Sequence, residues 1–348
     1  MRSIKSLIQI VVVLLVSLFT IIKCSSSEVR TQQQTGLSTN NKTPAKLAPI
    51  RDSFHFDTTL FNAKLLQLTH NKPSDKWPVK TKYPLKGAIL PFKRVVAYYG
   101  NFYSVRMGIL GELPPDEMLE KLQQEVKKWE LADTLTPVVP ALEYIVVTAQ
   151  KGSGKDGKYR LRMPFNQIDK TMELAARINA IVFLDVQVGH STLEEEIPRL
   201  LTYLKLPNVH LAVDPEYSMK GGEVPGSKVG TFAAEDINYA LNYLAQIVRE
   251  YALPPKILVV HRFTNKMVTN YKNITTCPEV QIVMHMDGFG FPAKKINTYN
   301  SCIANEPVQF TGFKLFYKND ILSPQGRTLM TPEEILKLYP SPSYIHFQ

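Results

Sequence analysis

The sequence predicts an α/β chain of the (β/α)8 TIM-type barrel class, and three observations predict it. From Arg94 onward, about eight short apolar runs are separated by helical stretches over roughly 250 residues, the count and size of such a barrel. The runs are too apolar for surface strands, as expected of parallel strands covered on both faces. Polar residues recur at the C-terminal end of nearly every run. A ring of strands explains that recurrence better than the single crevice of a doubly wound open sheet, which is the alternative fold.

Residues 1–24 stand outside this pattern. Arg2 and Lys5 form a charged start, Leu7 to Ile22 is an apolar run, and Lys23-Cys24-Ser25-Ser26-Ser27 follows. This predicts a secretory signal, short for a stable membrane span, with an uncleaved anchor as the alternative. Cys24 sits where a bacterial lipoprotein carries its lipidated cysteine. Ile21-Ile22-Lys23 departs from the small residues expected before it, so lipidation at Cys24 and plain cleavage nearby both stand as expectations. Residues 25–57, polar at first with little to bury, are expected to form a disordered tether. Residues 58–93 are expected to pack on the barrel as an extension, with a short helix over Thr58 to His70 and then a segment carrying Pro73, Pro78, Pro84 and Pro91. The barrel itself is expected over 94–348.

The expected strands are Arg94–Tyr99, Val138–Glu143 (running on toward Thr148), Ala180–Gln187, Val209–Asp214, Lys256–Arg262, Val280–Asp287, Gln309–Phe316 and Tyr344–Phe347. The expected helices are 115–131, 164–179, 192–205, 233–252, 265–275, 292–302 and 331–338. Pro115-Asp116-Glu117 and Pro332-Glu333-Glu334 place proline and acids in a first turn, and Thr331 and Thr192 are positioned to cap. The last strand falls at the C-terminal end with no eighth helix after it.

The formal charge of +10 is partly that of the leader, which holds Arg2, Lys5 and Lys23. The remaining positive charges are scattered, without the stripe or basic helix that nucleic-acid binding needs. They support at most a weak attraction to anionic polymers or lipid head groups. In an exported chain Cys277 and Cys302 form an even pair. Both precede strands and would lie in adjacent loops at the N-terminal end of a barrel, so a structural disulfide is expected, with two separate buried thiols as the alternative. Lys151-Gly-Ser-Gly-Lys-Asp-Gly-Lys158 has P-loop spacing, but Tyr159 stands where a metal-binding Ser or Thr is required and no helix is signalled after it. It reads as an exposed basic loop on the substrate face.

The strand ends carry Tyr98, Glu143, Asp185 with Gln187, Asp214 with Glu216, His261, His285 with Asp287, Lys314, and His346. A single Asp at such a place often caps a helix, and a single His is often a satisfied core residue. Their recurrence is harder to dismiss, because burying unpaired charge is costly. Val209-His-Leu-Ala-Val-Asp-Pro-Glu216 is the central case: an apolar run ending in two carboxylates that share a face if the chain stays extended. Paired carboxylates suit glycoside hydrolysis, one protonated as general acid and the other nucleophile or base. Glu216 is expected to be the acid, with Asp214 and Asp185 as its catalytic partners: they raise its pKa, and one of them attacks or positions a water. Tyr98, Glu143, Gln187, His261, His285, Asp287 and Lys314 are expected to bind and orient substrate. The loops Gly100–Ser104, Tyr217–Gly222, Asp287–Pro292 and Phe316-Tyr317 offer aromatics beside glycines, suited to sugar faces or equally to plugging the barrel mouth. No His-x-His or His-Glu-x-x-His signature marks a metal site, and neither a metal nor another cofactor is expected.

Several of these motifs carry a resemblance. Val95-Val-Ala-Tyr-Tyr-Gly-Asn101, Met107-Gly-Ile-Leu-Gly-Glu112, Leu184-Asp-Val-Gln187, Val213-Asp-Pro-Glu216, Val259-Val-His261, His285-Met-Asp-Gly-Phe-Gly290 and Thr311-Gly-Phe-Lys-Leu-Phe-Tyr317 resemble a group of exported bacterial (β/α)8-barrel proteins of glycoside-hydrolase-like type. The resemblance spans about residues 80–348, and it implies that fold without bringing a substrate. Asp214-Pro-Glu216 is also similar to the Asp-x-Glu of lysozyme-like muramidase barrels, over too few residues to transfer their substrate.

The sequence thus predicts a secreted or cell-surface barrel, membrane-attached if its N-terminus is lipidated or retained. It would hydrolyse an extracellular or cell-wall polysaccharide. A non-catalytic glycan-binding surface protein and a metal-dependent hydrolase are the alternatives.

Overall fold

A computed structural model describes residues 56–322 and 327–348. The expected leader, Cys24 and all but the end of the tether lie outside the described residues. Among the described residues no helix is long and apolar enough to cross a membrane.

Eight parallel strands close into a ring: β1 (Arg94–Gly100), β2 (Val138–Ala149), β3 (Ile181–Val186), β4 (Val209–Val213), β5 (Lys256–Arg262), β6 (Val280–Met286), β7 (Phe310–Leu315) and β8 (Tyr344–Phe347). Each pairs with the next, and β8 pairs with β1, so the sheet has no open edge within the ring. This is the (β/α)8 barrel, and the open-sheet alternative falls.

Strand alternation divides the apolar residues into two layers. Val95, Ala97, Ala141, Phe183, Ala212, Val259, Val283 and Tyr344 form an inner cluster that fills the barrel. Val96, Tyr98, Leu142, Tyr144, Leu184, Leu211, Val260 and Phe313 belong to the larger cluster between strands and helices. The helices meet that layer with one apolar face. In the helix Pro115–Ala132 the buried residues include Met118, Leu119, Leu122 and Trp129. In the helix Ala234–Glu250 they include Ile237, Leu241, Leu244 and Val248, at the three- and four-residue spacing of one face. Each large side chain so buried contributes roughly 1.5–3 kcal/mol.

Segment 56–93 closes the N-terminal end of the barrel. The helix Thr58–Leu68 buries Phe61, and Leu90 reaches the inner cluster with no exposed surface. Gln281 at the start of β6 fixes that plug: its Oε1 accepts from the backbone N–H of Ile89 and Leu90 at 3.0 and 3.1 Å.

Three expectations about secondary structure and cysteines fail for local reasons. Residues 265–275 form no continuous helix, only the short 3-10 turns Asn265–Met267 and Tyr271–Asn273. The Arg262 guanidinium donates to the carbonyls of Thr264, Asn265 and Val268, folding the chain into turns, and Val268–Thr269 pairs with Phe232–Ala233. The helix expected over 192–205 is broken in its middle into a 3-10 turn, Ile197–Leu200, which contains Pro198 with no N–H to donate. Cys277 and Cys302 are free thiols rather than a disulfide. Cys302 is buried with its sulfur 3.5 Å from the Phe263 carbonyl and 3.4 Å from Asn265 Oδ1, while Cys277 lies beside Glu279 in the turn entering β6. Burial pushes the Cys277 thiol up to about 11, which leaves it protonated and unreactive near neutrality.

Candidate active site

The C-terminal ends of the strands surround a cleft of about 640 Å³. Tyr99, Gln187, Asp214, Glu216, Asp287 and Lys314 line it, with Tyr217, Phe263, Phe289 and Phe316 as aromatic walls. This is where catalytic groups of this architecture reside. A smaller cavity of about 210 Å³ lies at the other end, around Arg94 and Asp133, which already form an ion pair.

Beneath the cleft, one buried network joins most of the residues expected from the sequence. His261 on β5 contacts Asp287 Oδ2 through Nδ1 at 2.8 Å and Glu143 Oε1 through Nε2 at 2.9 Å. Its own burial disfavours charge, but the two carboxylates outweigh that and raise its pKa well above the ordinary value. It is therefore an imidazolium donating from both nitrogens. Asp287 also receives Lys314 Nζ at 2.9 Å on Oδ1. Burial opposes its ionisation, yet Lys314 and His261 hold its carboxyl well below the usual range. Glu143 accepts in addition from the Tyr344 hydroxyl.

Charge arithmetic explains the remaining acids. Among the described residues, Glu143, Asp185, Asp214, Glu216 and Asp287 have His261 and Lys314 as their partner cations. Three uncompensated buried charges would be prohibitive, and three of the five are shifted toward the protonated form. Asp185 is pushed up to about 7, first by burial and then by Glu143, against the lowering effect of His261. Asp214 is raised well above the usual value by burial, with Glu216, Asp185 and Asp287 adding to it. Glu216 is pushed up to about 7 by burial and by Asp287.

The expected cause of the Glu216 shift was its neighbours Asp214 and Asp185. The structure assigns it to desolvation and Asp287 instead. The chain also does not stay extended past Val213. Pro215–Tyr217 is a 3-10 turn, closed by the Glu216 N–H donating to Asp214 Oδ1 at 2.9 Å, and this turn presents both acids to the cleft.

Register corrects another assignment. Tyr98 points away from the barrel interior: its hydroxyl is 2.9 Å from that of Tyr317, and it packs edge-on against Tyr317 and Phe347. The interior tyrosine is Tyr99. Its hydroxyl donates to Asp185 Oδ2 at 3.2 Å and accepts from Gln187 Nε2 at 3.1 Å, and Lys314 Nζ sits 4.2 Å from its ring. Among the aromatics expected to meet sugar, Tyr217, Phe289 and Phe316 line the cleft. Phe102, stacked on Tyr144, and Tyr317, stacked on Phe347, pack outside it.

His285 lies under the cleft rather than in it. Its Nε2 is 3.1 Å from His346 Nδ1, and burial lowers both pKa values well below the ordinary one, so both rings are neutral and one donates to the other. Sequence reasoning gave His346, Tyr99 and Tyr344 no role. His346 was visible as a strand-end residue, while the two tyrosines needed the register.

Two groups hold metal-ligand residue types with ligand atoms within 4.8 Å of one another: His261, His285 and His346, and Glu143, Asp185 and His261. Both depend on His261. Both nitrogens of that ring are already engaged by Asp287 and Glu143, so a cation would have to displace one of those contacts.

No protein-family model matches the chain, and no curated protein matches it. Among solved structures, it is similar to the crystal structure of a hyperthermophilic endo-β-1,4-glucanase in complex with substrate. That similarity has 9% identity and a TM-score of 0.39, over 74% of this chain and 89% of that one. It is also similar to a ruminal GH26 endo-β-1,4-mannanase, at 10% identity and a TM-score of 0.35, over 79% of this chain and 66% of that one. Likeness at this level carries no functional argument, and the assignment of the barrel rests on its own closed ring of strands.

Proposed function

We propose that the protein hydrolyses a glycosidic bond in a polysaccharide, with Glu216 as general acid and Asp287 as its ionised partner. One observation carries this reading: two carboxylates lining the same cleft are driven in opposite directions by their surroundings. Glu216, pushed up to about 7, holds a proton near neutrality, while Asp287, beside Lys314 and His261, does not. That separation of roles is what acid-assisted departure of a sugar oxygen requires. Asp287, first expected to bind substrate, takes the part of nucleophile or water-activating base. Asp214 then serves to set the Glu216 turn, and Asp185 with Tyr99 and Gln187 forms the polar floor. Tyr217, Phe289 and Phe316 offer flat faces to sugar rings.

The leader-like N-terminus motivates a second part of the proposal, that the protein is exported and acts on extracellular or cell-wall material. A glycan-binding protein without turnover would not need an acid and a base with separated pKa values.

The test is turnover by purified protein on a panel of polysaccharides, beside Glu216→Gln and Asp287→Asn. Loss of the general acid should cost about 10²–10⁴-fold in kcat, and much less on aryl glycosides whose leaving group needs no proton. Asp287→Asn should be impaired on both substrate types. Undiminished turnover by Glu216→Gln on a natural polysaccharide would remove the assignment.

A further inference from the structure

We infer that the cleft is built for an acidic polysaccharide, one with anionic sugar units on both sides of the cleaved bond. The inference rests on the glycosidic reading for its bond and adds the class of polymer.

Of the three cations lining the cleft, Lys314 is committed to Asp287. Arg106 and Lys294 are exposed, and among the described residues neither has a carboxylate within ion-pair distance. The acids of the floor do not need them, since His261 and Lys314 already neutralise Glu143 and Asp287 and protonation relieves Asp185, Asp214 and Glu216. Two unpaired cations are thus held at the mouth of a site whose own charge is already settled.

Their placement is as informative as their charge. Arg106 lies on the loop after β1. Gln150, just past β2, also lines the cleft and leads into the exposed residues 151–157, with Lys151 and Lys155. Lys294 lies on the helix Pro292–Tyr299 that follows β6. Arg106, after β1, and Lys294, after β6, stand three strands apart round the ring of eight, so the two cations sit on different sides of the cleft mouth. A polymer crossing from one side to the other presents sugar units to both. Lys294 Nζ lies 5.1 Å from the centre of the Phe289 ring, which is 55% exposed, so a stacking surface and a cation are offered together. A guanidinium matches the fork of a carboxylate, and both cations attract sulfate esters as well.

Binding to the Glu216→Gln protein, which cannot turn substrate over, tests this by calorimetry. The probes are tetramers of galacturonate and mannuronate, a sulfated galactan oligomer, and neutral cello- and manno-tetraose. At least one acidic oligomer should bind about tenfold or more tighter than either neutral one, and that margin should shrink in 0.5 M salt, where screening reaches only a few ångströms. Arg106→Ala with Lys294→Ala should remove most of the margin, read as the ratio of acidic to neutral affinity. Which acidic oligomer binds separates carboxylate from sulfate recognition. Equal or tighter binding of the neutral oligomers, no binding of any acidic one, or an acidic preference untouched by the double substitution would each overturn the inference. If the wild-type protein cleaves neutral glycans alone, the acidic class falls and the glycosidic reading stands. If it cleaves nothing yet shows the acidic preference, the glycosidic reading falls and the acidic cleft remains.

Discussion

His261 Nδ1 and Asp287 Oδ2 lie 2.8 Å apart, and this pair holds a cation in the floor of an otherwise acidic site. The same ring reaches Glu143 on the far side of the barrel interior. His261→Ala therefore strands two buried carboxylates at once. The expected loss is about 3–5 kcal/mol, the cost of breaking a buried pair from one side, read by urea unfolding at pH 7. A loss under about 1 kcal/mol would mean the network is not charged as described. Because the folded pKa of His261 is raised, its contribution is complete below the unfolded value of 6.5 and disappears as pH rises through the folded one.

Asp185 predicts a slope of the same sign for a different reason. Its carboxyl titrates near 3.8 in the unfolded chain and at about 7 in the folded one. Between those values the folded state binds more protons, so stability falls as pH rises through that window. Asp185→Asn removes the titration. The variant should lose less stability than the wild type between pH 4 and pH 8, by an amount on the order of 2–4 kcal/mol. Parallel stability-against-pH curves for the two proteins would contradict the assignment.

Adjacent tyrosines give a test of register. Tyr99→Phe deletes the hydroxyl between Asp185 and Gln187, leaving both with one partner fewer, and turnover should fall about tenfold or more. Tyr98→Phe deletes only the contact with Tyr317, outside the barrel interior, and turnover should stay within about twofold. The reverse ranking would mean that β1 is displaced by one residue.

Much of the barrel was legible because buried parallel strands read as apolar runs, and the runs at 256–262 and 344–347 have the bounds the sequence predicts. The acids were legible for the same reason, since Asp185, Asp214 and Asp287 end such runs. Facing was not legible where both neighbours suit either side, as with Tyr98 and Tyr99. A one-residue change of parity moves a side chain between interior and outer layer. Glu216 was found through a wrong geometry: extended alternation would bring it beside Asp214, and a 3-10 turn does so instead. The roles of Asp287 and Glu143 depend on His261 bridging strands that are far apart in sequence, which no local pattern encodes. The disulfide expectation failed because adjacency of two loops does not fix where two thiols point.

Gly312 on β7 supplies the last test. It pairs with His285 across the β6–β7 ladder, and a Cβ at Gly312 would lie 2.4 Å from His285 Nδ1 and 3.1 Å from the Tyr344 carbonyl oxygen. His285 has little room to retreat, since its Nε2 meets His346 and its ring packs edge-on against His261 and Tyr344 at 5.2 Å. Gly312→Ala should cost about 1–3 kcal/mol as overpacking, and disturb the His261 pairings above it. If the clash with His285 is the cause, His285→Ala should relieve it. The double variant should then be less destabilised than the sum of the single ones by about 1 kcal/mol or more, in a cycle measured by chemical denaturation. Strict additivity would place the role of the glycine in the backbone of β7 rather than in the space it leaves for the imidazole.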